Sequence, residues 1–143
     1  MQINRTGSAH WTGGLKDGRG QISTQSGALK EYPYGFASRF EGVAGTNPEE
    51  LIGAAHAGCF TMALSLILGE AGLKADSMDT TAKVTLESVD GGFAITAIHL
   101  TLVARIPGTD QAKFEELAAM AKAGCPVSKA LSAVPITLDA KLG

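Results

Sequence analysis

The sequence has few of the features that mark several large classes of protein. It carries no basic stripe and no RNP-like aromatic motif, and its formal net charge is −2, so we expect no nucleic-acid partner. The polar segment 1–11 lacks the apolar stretch of a signal peptide, which favours a cytoplasmic protein. The longest apolar stretch, 51–68, is interrupted by glycine, histidine and hydroxyl residues, which argues against a membrane span.

Motifs for metals and cofactors are also missing. The three histidines and two cysteines show no C-x-x-C or H-x-x-x-H spacing, and no phosphate-binding loop or dinucleotide fingerprint occurs. We therefore expect neither a metal nor a cofactor. Hydrophobic residues make up 45% of the 143 positions, which predicts one packed domain over residues 1–143.

The region before residue 46 is punctuated by glycines and predicts strands and turns. Segment 34–41 alternates two phenylalanines and a serine with other side chains, which predicts a strand with Arg39 on the face opposite the phenylalanines. Arg39 on a strand is by default a solvated surface residue. Its functional interpretation is a cation that acts on a nearby site.

A long helix is predicted to follow. Asn47 is a good N-cap, Pro48 suits the first helical position, and Glu50 occupies the third position of a capping box. The helix should run to about Glu70, with Gly72 as its stop. Because it is apolar nearly all round, we expect it to be central and buried.

The rest of the chain predicts an α+β fold with an antiparallel sheet and segregated helices. An Asp-Gly-Gly turn at 90–92 indicates a hairpin between two strand patterns. The predicted elements are strands at 81–89, 93–106 and 135–142, and helices at 111–123 and 126–132. Asp110 is the predicted cap of the helix at 111–123.

Two cysteines are the residues with most chemical potential. Cys59 lies in the apolar helix, where a thiol is often an inert core residue and burial raises its pKa. Cys125 precedes Pro126 at a predicted helix N-terminus, where exposed N–H groups favour a thiolate. By these local rules Cys125 is the better nucleophile. In a reducing compartment the pair is either inert or catalytic.

Two further residues leave alternatives open. Glu50 is a capping residue by default, and its functional interpretation is a carboxylate that orients the Arg39 guanidinium. His56 lies three residues before Cys59 on the same helix face, so a Cys–His hydrolase is one alternative, although no hydrolase motif is present. A protein that binds an apolar ligand, with both cysteines in the core, is the other.

Four segments together resemble the OsmC branch of the OsmC/Ohr family of thiol-dependent peroxidases. The resemblance spans nearly the whole chain. It is carried by His-Trp-Thr-Gly-Gly-Leu-Lys-Asp-Gly at 10–18, Pro-Tyr at 33–34 with Phe36 to Glu41, Gly-Thr-Asn-Pro-Glu-Glu-Leu-Ile at 45–52 with Ala-Ala-His-Ala-Gly-Cys-Phe at 54–60, and Ala-Gly-Cys-Pro-Val-Ser at 123–128.

The resemblance implies an OsmC-like fold and roles for four residues. The fold would be an intertwined homodimer whose antiparallel sheets wrap around two long central helices. Cys59 would be the peroxidatic cysteine and Cys125 the resolving one, which reverses the local rules. Arg39 and Glu50 would form the activating pair, because a nearby guanidinium can lower a thiol pKa more than burial raises it.

The resemblance also implies an activity. Organic hydroperoxides, and hydrogen peroxide less well, would be reduced to alcohols through a sulfenic acid on Cys59 and a Cys59–Cys125 disulfide, in defence against oxidative and osmotic stress. A dithiol, a lipoylated protein in some members, would restore the thiols. No metal, haem or flavin is needed. We expect a hydrophobic substrate pocket lined by apolar side chains, namely Phe36, Phe40, Ile52 and Met62.

Overall fold

A computed structural model describes residues 1–143, and the chain divides into two units, Met1–Leu51 and Ile52–Gly143. The first unit begins with an antiparallel three-stranded sheet in the order β1-β2-β3. Its strands are β1 (Gly7–Thr12), β2 (Arg19–Thr24) and β3 (Tyr32–Tyr34). The interpretation of residues 1–143 as one domain stays a prediction.

The predicted strand over residues 34–41 is wrong. The chain instead forms a short helix, α1 (Phe36–Phe40), directly after β3. Ser38 explains the change, because its Oγ accepts a hydrogen bond from the Gly35 N–H at 2.9 Å and donates one to the Thr46 carbonyl at 2.9 Å. A hydroxyl three residues into a helix satisfies an amide that the first turn leaves unpaired. The alternating pattern alone could not show this contact.

The long helix, α2 (Pro48–Glu70), has the predicted limits. Asn47 Oδ1 accepts a hydrogen bond from the Glu50 N–H at 2.8 Å, which confirms the N-cap. At the other end Gly72 adopts a φ of +74°, and the next amide donates to the carbonyl of Leu68 at 2.8 Å. This left-handed glycine ends the helix, as such residues commonly do.

The expectation that α2 is buried on all sides is wrong within one chain. One face is buried and includes Phe60, Leu64 and Leu68, whereas Met62 and Leu66 are 77% and 66% exposed. By length and composition α2 is the one helix that could cross a membrane, with a mean hydropathy of 1.8 over its most apolar window. Because its buried face belongs to the core of the second unit, we interpret α2 as a packed helix with one uncovered face.

The second unit pairs a three-stranded sheet with three helices. β4 (Ser77–Val89) and β5 (Gly92–Arg105) form the predicted hairpin. α3 (Gln111–Gly124) and α4 (Pro126–Ala130) follow, and Asp110 caps α3 as predicted by accepting from the Lys113 N–H at 2.8 Å. The core lies between the sheet and the helices and contains Phe60, Leu64, Leu68, Leu100, Leu102, Ala104, Phe114, Leu117, Ala118, Ala121 and Cys125.

The last strand corrects the prediction of a wholly antiparallel sheet. β6 (Ile136–Leu142) runs parallel to β5, in the sheet order β4-β5-β6. The connection between β5 and β6 contains α3 and α4, which carry the chain back to the middle of β5, where Ile136 lies beside Ile98. A parallel pair requires such a crossover, whereas a tight turn yields an antiparallel pair.

Candidate active site

The two thiols lie next to each other in the second unit. Cys59, on α2, is partly buried and packs against the core cluster that contains Cys125. Cys125 stands at the junction of α3 and α4 and is completely buried. A hydrogen bond joins the two sulfur groups and shifts the pKa of both. The fold therefore makes a thiol pair from cysteines that are distant in sequence.

The surroundings of the pair act differently on its two members. Burial raises the pKa of Cys59, and the hydrogen bond with Cys125 raises it further. Burial also acts to raise the pKa of Cys125, but hydrogen bonds from Cys59, Ser128 and the Val127 amide outweigh it, so the pKa is lowered. Within one chain Cys125 is the better thiolate, in agreement with the helix-end rule.

The N-terminus of α4 holds Cys125 in place. Cys125 is its N-cap, and its Sγ accepts a hydrogen bond from the Ser128 N–H at 3.5 Å. Pro126 occupies the first helical position, as predicted. Because the cap uses the sulfur itself, the start of this helix and the reactivity of the thiol depend on the same contact.

His56 contacts α4 and not the neighbouring thiol on its own helix. Its Nε2 forms a 2.7 Å hydrogen bond with Ser128 Oγ, and both side chains are buried. Its Nδ1 is buried without a hydrogen-bond partner, and burial lowers the pKa of the imidazole. The hydrolase alternative requires a His56–Cys59 hydrogen bond, and the structure pairs His56 with Ser128 instead.

In the first unit Arg39 is paired with Glu49, so the prediction that it pairs with Glu50 is wrong. Arg39 Nε and Nη2 donate to Glu49 Oε1 at 2.9 and 2.6 Å. Glu50 instead accepts a hydrogen bond from Thr46 Oγ1 at 2.7 Å. Consecutive residues on a helix point about 100° apart, so only one of the two carboxylates can face Arg39.

An apolar pocket surrounds the Arg39 side chain. Its volume is about 230 Å³, and its walls are Trp11, Leu15, Tyr34, Gly35, Phe36, Phe40 and Pro48. The guanidinium carbon of Arg39 lies 5.4 Å from the centre of the Phe40 ring, a cation–π distance. Phe36 and Phe40 thus line a pocket as predicted. Ile52 and Met62, the other two predicted residues, are not among its walls, and Met62 lines a separate groove between α2 and β4.

The family assignment follows from comparison with known proteins. The family model for OsmC-like protein matches residues 40–139. The chain belongs to the OsmC family. It is 58% identical over 142 residues to Peroxiredoxin OsmC of Escherichia coli (strain K12), with 99% of each sequence covered.

Solved structures share the fold of this OsmC-family chain. The crystal structure of the organic hydroperoxide resistance protein OhrB of Bacillus subtilis superposes with a TM-score of 0.69, at 31% identity over 96% of this chain and 98% of that one. An organic hydroperoxide resistance protein OsmC from Legionella pneumophila superposes with a TM-score of 0.70, at 25% identity over 100% and 98%. The predicted OsmC-like α+β fold is confirmed.

The structure adds two residues that the sequence pattern did not select. Glu49 takes the place expected for Glu50, and nothing local distinguishes two adjacent glutamates at a helix start. Ser128 links His56 with Cys125. The sequence could have indicated the contact between Ser128 and Cys125, because the amide three residues after an N-cap usually donates to the capping side chain.

Proposed function

We propose that this OsmC-family chain is a thiol-dependent peroxidase that reduces organic hydroperoxides to alcohols, and hydrogen peroxide less well. The hydrogen-bonded Cys59–Cys125 pair carries the proposal. Sulfur accepts an oxygen atom and can be reduced again, and a second thiol within reach prevents further oxidation. The names of the relatives, peroxiredoxin and organic hydroperoxide resistance protein, support this chemistry. We also propose a role in defence against oxidative and osmotic stress.

In the first step Cys59 is the nucleophile. Its thiolate attacks the distal oxygen of the hydroperoxide, the O–O bond breaks, and the alkoxide leaves and takes up a proton to become the alcohol. Cys59 is then a sulfenic acid. Because burial raises the pKa of Cys59, we assign its activation to the Arg39 guanidinium, which Glu49 holds in place. Arg39 also stabilises the charge that develops on the peroxide oxygens.

In the second step Cys59 and Cys125 form a disulfide. The sulfur of Cys125 attacks the sulfenic acid of Cys59, an S–S bond forms, and hydroxide leaves and takes up the proton of Cys125 as water. An external dithiol then reduces the disulfide by thiol–disulfide exchange. We propose a lipoyl-type dithiol as this reductant. The apolar pocket beside Arg39 favours peroxides with a hydrocarbon group over hydrogen peroxide.

We further propose that the chain works as an intertwined homodimer, with residues 1–143 acting as one OsmC-like domain. The uncovered face of α2 supports this assembly, because it carries exposed Met62 and Leu66 beside small residues that allow close approach. A large exposed apolar surface usually marks an interaction site. The second copy would place two α2 helices at the centre of the dimer and complete each active site.

Two measurements test the proposal: the rate of peroxide consumption and the mass of the protein after peroxide treatment. We expect purified protein with dithiothreitol to consume cumene hydroperoxide, and Cys59→Ser to abolish turnover. Cys125→Ser should react once and then stall or over-oxidise. Without a reductant, mass spectrometry should show that peroxide removes two protons from the wild type. Wild-type turnover by Cys59→Ser, or two free thiols after peroxide treatment, would refute the proposal.

A further inference from the structure

Two pairs of residues face each other across the α2–α4 contact. On α2, His56 and Cys59 are three positions apart, and the same spacing separates Cys125, the N-cap of α4, from Ser128 in its first turn. Cys59 meets Cys125, and His56 meets Ser128 at 2.7 Å. Residues three apart on a helix lie on the same face, so His56 and Cys59 both face α4. The His56–Ser128 hydrogen bond is therefore a second contact beside the thiol pair.

The unpaired nitrogen of His56 indicates the direction of this hydrogen bond. If Nε2 accepted from Ser128, then Nδ1 would carry a buried N–H without an acceptor, and orphaned buried N–H groups are rare. The favoured arrangement has Nε2–H donating to Ser128 Oγ, with Nδ1 unprotonated. The hydroxyl hydrogen of Ser128 is then free to point elsewhere.

Cys125 is the nearby group that this hydroxyl can serve. The backbone N–H of Ser128 donates to the Cys125 sulfur at 3.5 Å, and the Ser128 side chain also lowers the pKa of Cys125. Ser128 is 5% exposed and His56 is completely buried, so water does not compete for these donors. A chain of donors therefore runs from His56 through Ser128 to the sulfur of Cys125.

Hydrogen bonds are the contacts that act on the sulfur of Cys125 within the second unit. The interactions that shift the pKa of Cys125 are burial and hydrogen bonds from Cys59, Ser128 and the Val127 amide, with no lysine or arginine among them. Lys122 on α3 donates to a backbone carbonyl at 3.3 Å, and Lys129 on α4 is exposed. Within the second unit, hydrogen bonds therefore lower the pKa of Cys125.

We propose that Ser128 is a catalytic residue for the resolving step and that His56 is the residue that positions it. This inference rests on the proposed function. As Cys125 attacks the sulfenic acid of Cys59, the donors from Ser128 stabilise the charge on the attacking sulfur and keep it aimed at Cys59. The S–S bond forms, and the hydroxide leaves as water with the proton of Cys125. Arg39 serves the first step, and Ser128 serves the second.

The test separates the two steps in a single turnover. Reduced protein is mixed with one equivalent of cumene hydroperoxide, and sulfenic acid and disulfide are followed by quenching and mass spectrometry. We expect Ser128→Ala and His56→Phe to form sulfenic acid at the wild-type rate. They should close the disulfide at least about tenfold more slowly, the effect expected for loss of one buried hydrogen bond to a charged group.

A conservative variant and a matched control distinguish chemistry from loss of stability. Ser128→Thr retains the hydroxyl and should restore the closure rate. Thr61→Val removes a 2.6 Å hydrogen bond between α2 and β4 without touching the thiols, and it should close at the wild-type rate. Wild-type closure by Ser128→Ala, or equal slowing in Thr61→Val, would overturn the proposal.

A second readout does not depend on peroxide chemistry. In a Cys59→Ser background Cys125 is the only thiol, and its ionisation can be followed by thiolate ultraviolet absorbance against pH. Addition of Ser128→Ala should move this titration to higher pH, and an unchanged titration would contradict the inference. If the wild type forms no disulfide with peroxide, the proposed function fails, and this titration still tests the role of Ser128.

Discussion

The choice between two adjacent glutamates offers the sharpest test of the proposed activation of Cys59. Glu49 accepts two hydrogen bonds from Arg39 and its side chain is 10% exposed, whereas Glu50 contacts the hydroxyl of Thr46. Glu49→Gln removes the charge that orients the guanidinium while it retains the shape of the side chain. We expect this change to slow sulfenic acid formation, and Glu50→Gln to leave the rate nearly unchanged.

The expected size follows from the geometry of the pair. Hydrogen bonds to charged groups contribute about 1.5–3 kcal/mol when they are shielded from water. The Arg39 side chain is 37% exposed, so solvent competes and we expect a loss of about 1–2 kcal/mol. Since 1.36 kcal/mol corresponds to a factor of ten in rate, Glu49→Gln should react roughly 5–30-fold more slowly.

The assay is stopped-flow oxidation of reduced protein by excess cumene hydroperoxide, with the sulfenic acid trapped as it forms. Glu50→Gln is the matched control, because it alters the neighbouring carboxylate in the same way. Thermal unfolding of both variants separates rate effects from loss of structure. The assignment would be refuted if Glu50→Gln formed sulfenic acid slowly while Glu49→Gln formed it at the wild-type rate. Equal rates for both variants and the wild type would refute it as well.

Three further predictions concern stability and assembly. Gly53→Ala should destabilise the protein by about 1–3 kcal/mol in chemical denaturation, because its Cβ would lie 2.9 Å from the Ala82 carbonyl, whereas Gly69→Ala, in open space on the same helix, should be neutral or stabilising. The contribution of His56 to the free energy of unfolding should be fully present above pH 6.5 and should be lost as the pH falls below it, because burial lowers the pKa of His56 from 6.5 and the folded state holds the neutral imidazole. If His56→Phe loses stability equally steeply over this pH range, His56 is not the origin. Leu66→Glu should convert the proposed dimer to monomer in sedimentation, and an unchanged dimer would move the interface away from α2.

Local rules predicted the elements whose ends depend on neighbouring residues. Asn47 and Asp110 both cap their helices as expected, and the hairpin between β4 and β5 follows from its turn. The same rules failed for α1, where alternation indicated a strand. There the decisive contact is from Ser38 to the carbonyl of Thr46, which a period of apolar residues cannot reveal.

The candidate site was only partly predictable. The tendency of Cys125 toward a thiolate followed from its place at a helix N-terminus, and its lowered pKa agrees with that rule. Its pairing with Cys59 was implied by the family resemblance alone. Neither source selected Glu49 over its neighbour, or Ser128 as a partner of both His56 and Cys125, because these choices depend on which side chains face each other across two elements.

The sequence by itself determined the limits of α2, the hairpin, and the sites where thiols and charges could act, because caps and turns depend on residues a few positions apart. Tertiary structure decided that β6 runs parallel to β5, that Cys59 meets Cys125, and that one face of α2 stays uncovered. These features join residues that are distant along the chain. Their contacts depend on the path of the backbone, and no local pattern encodes that path.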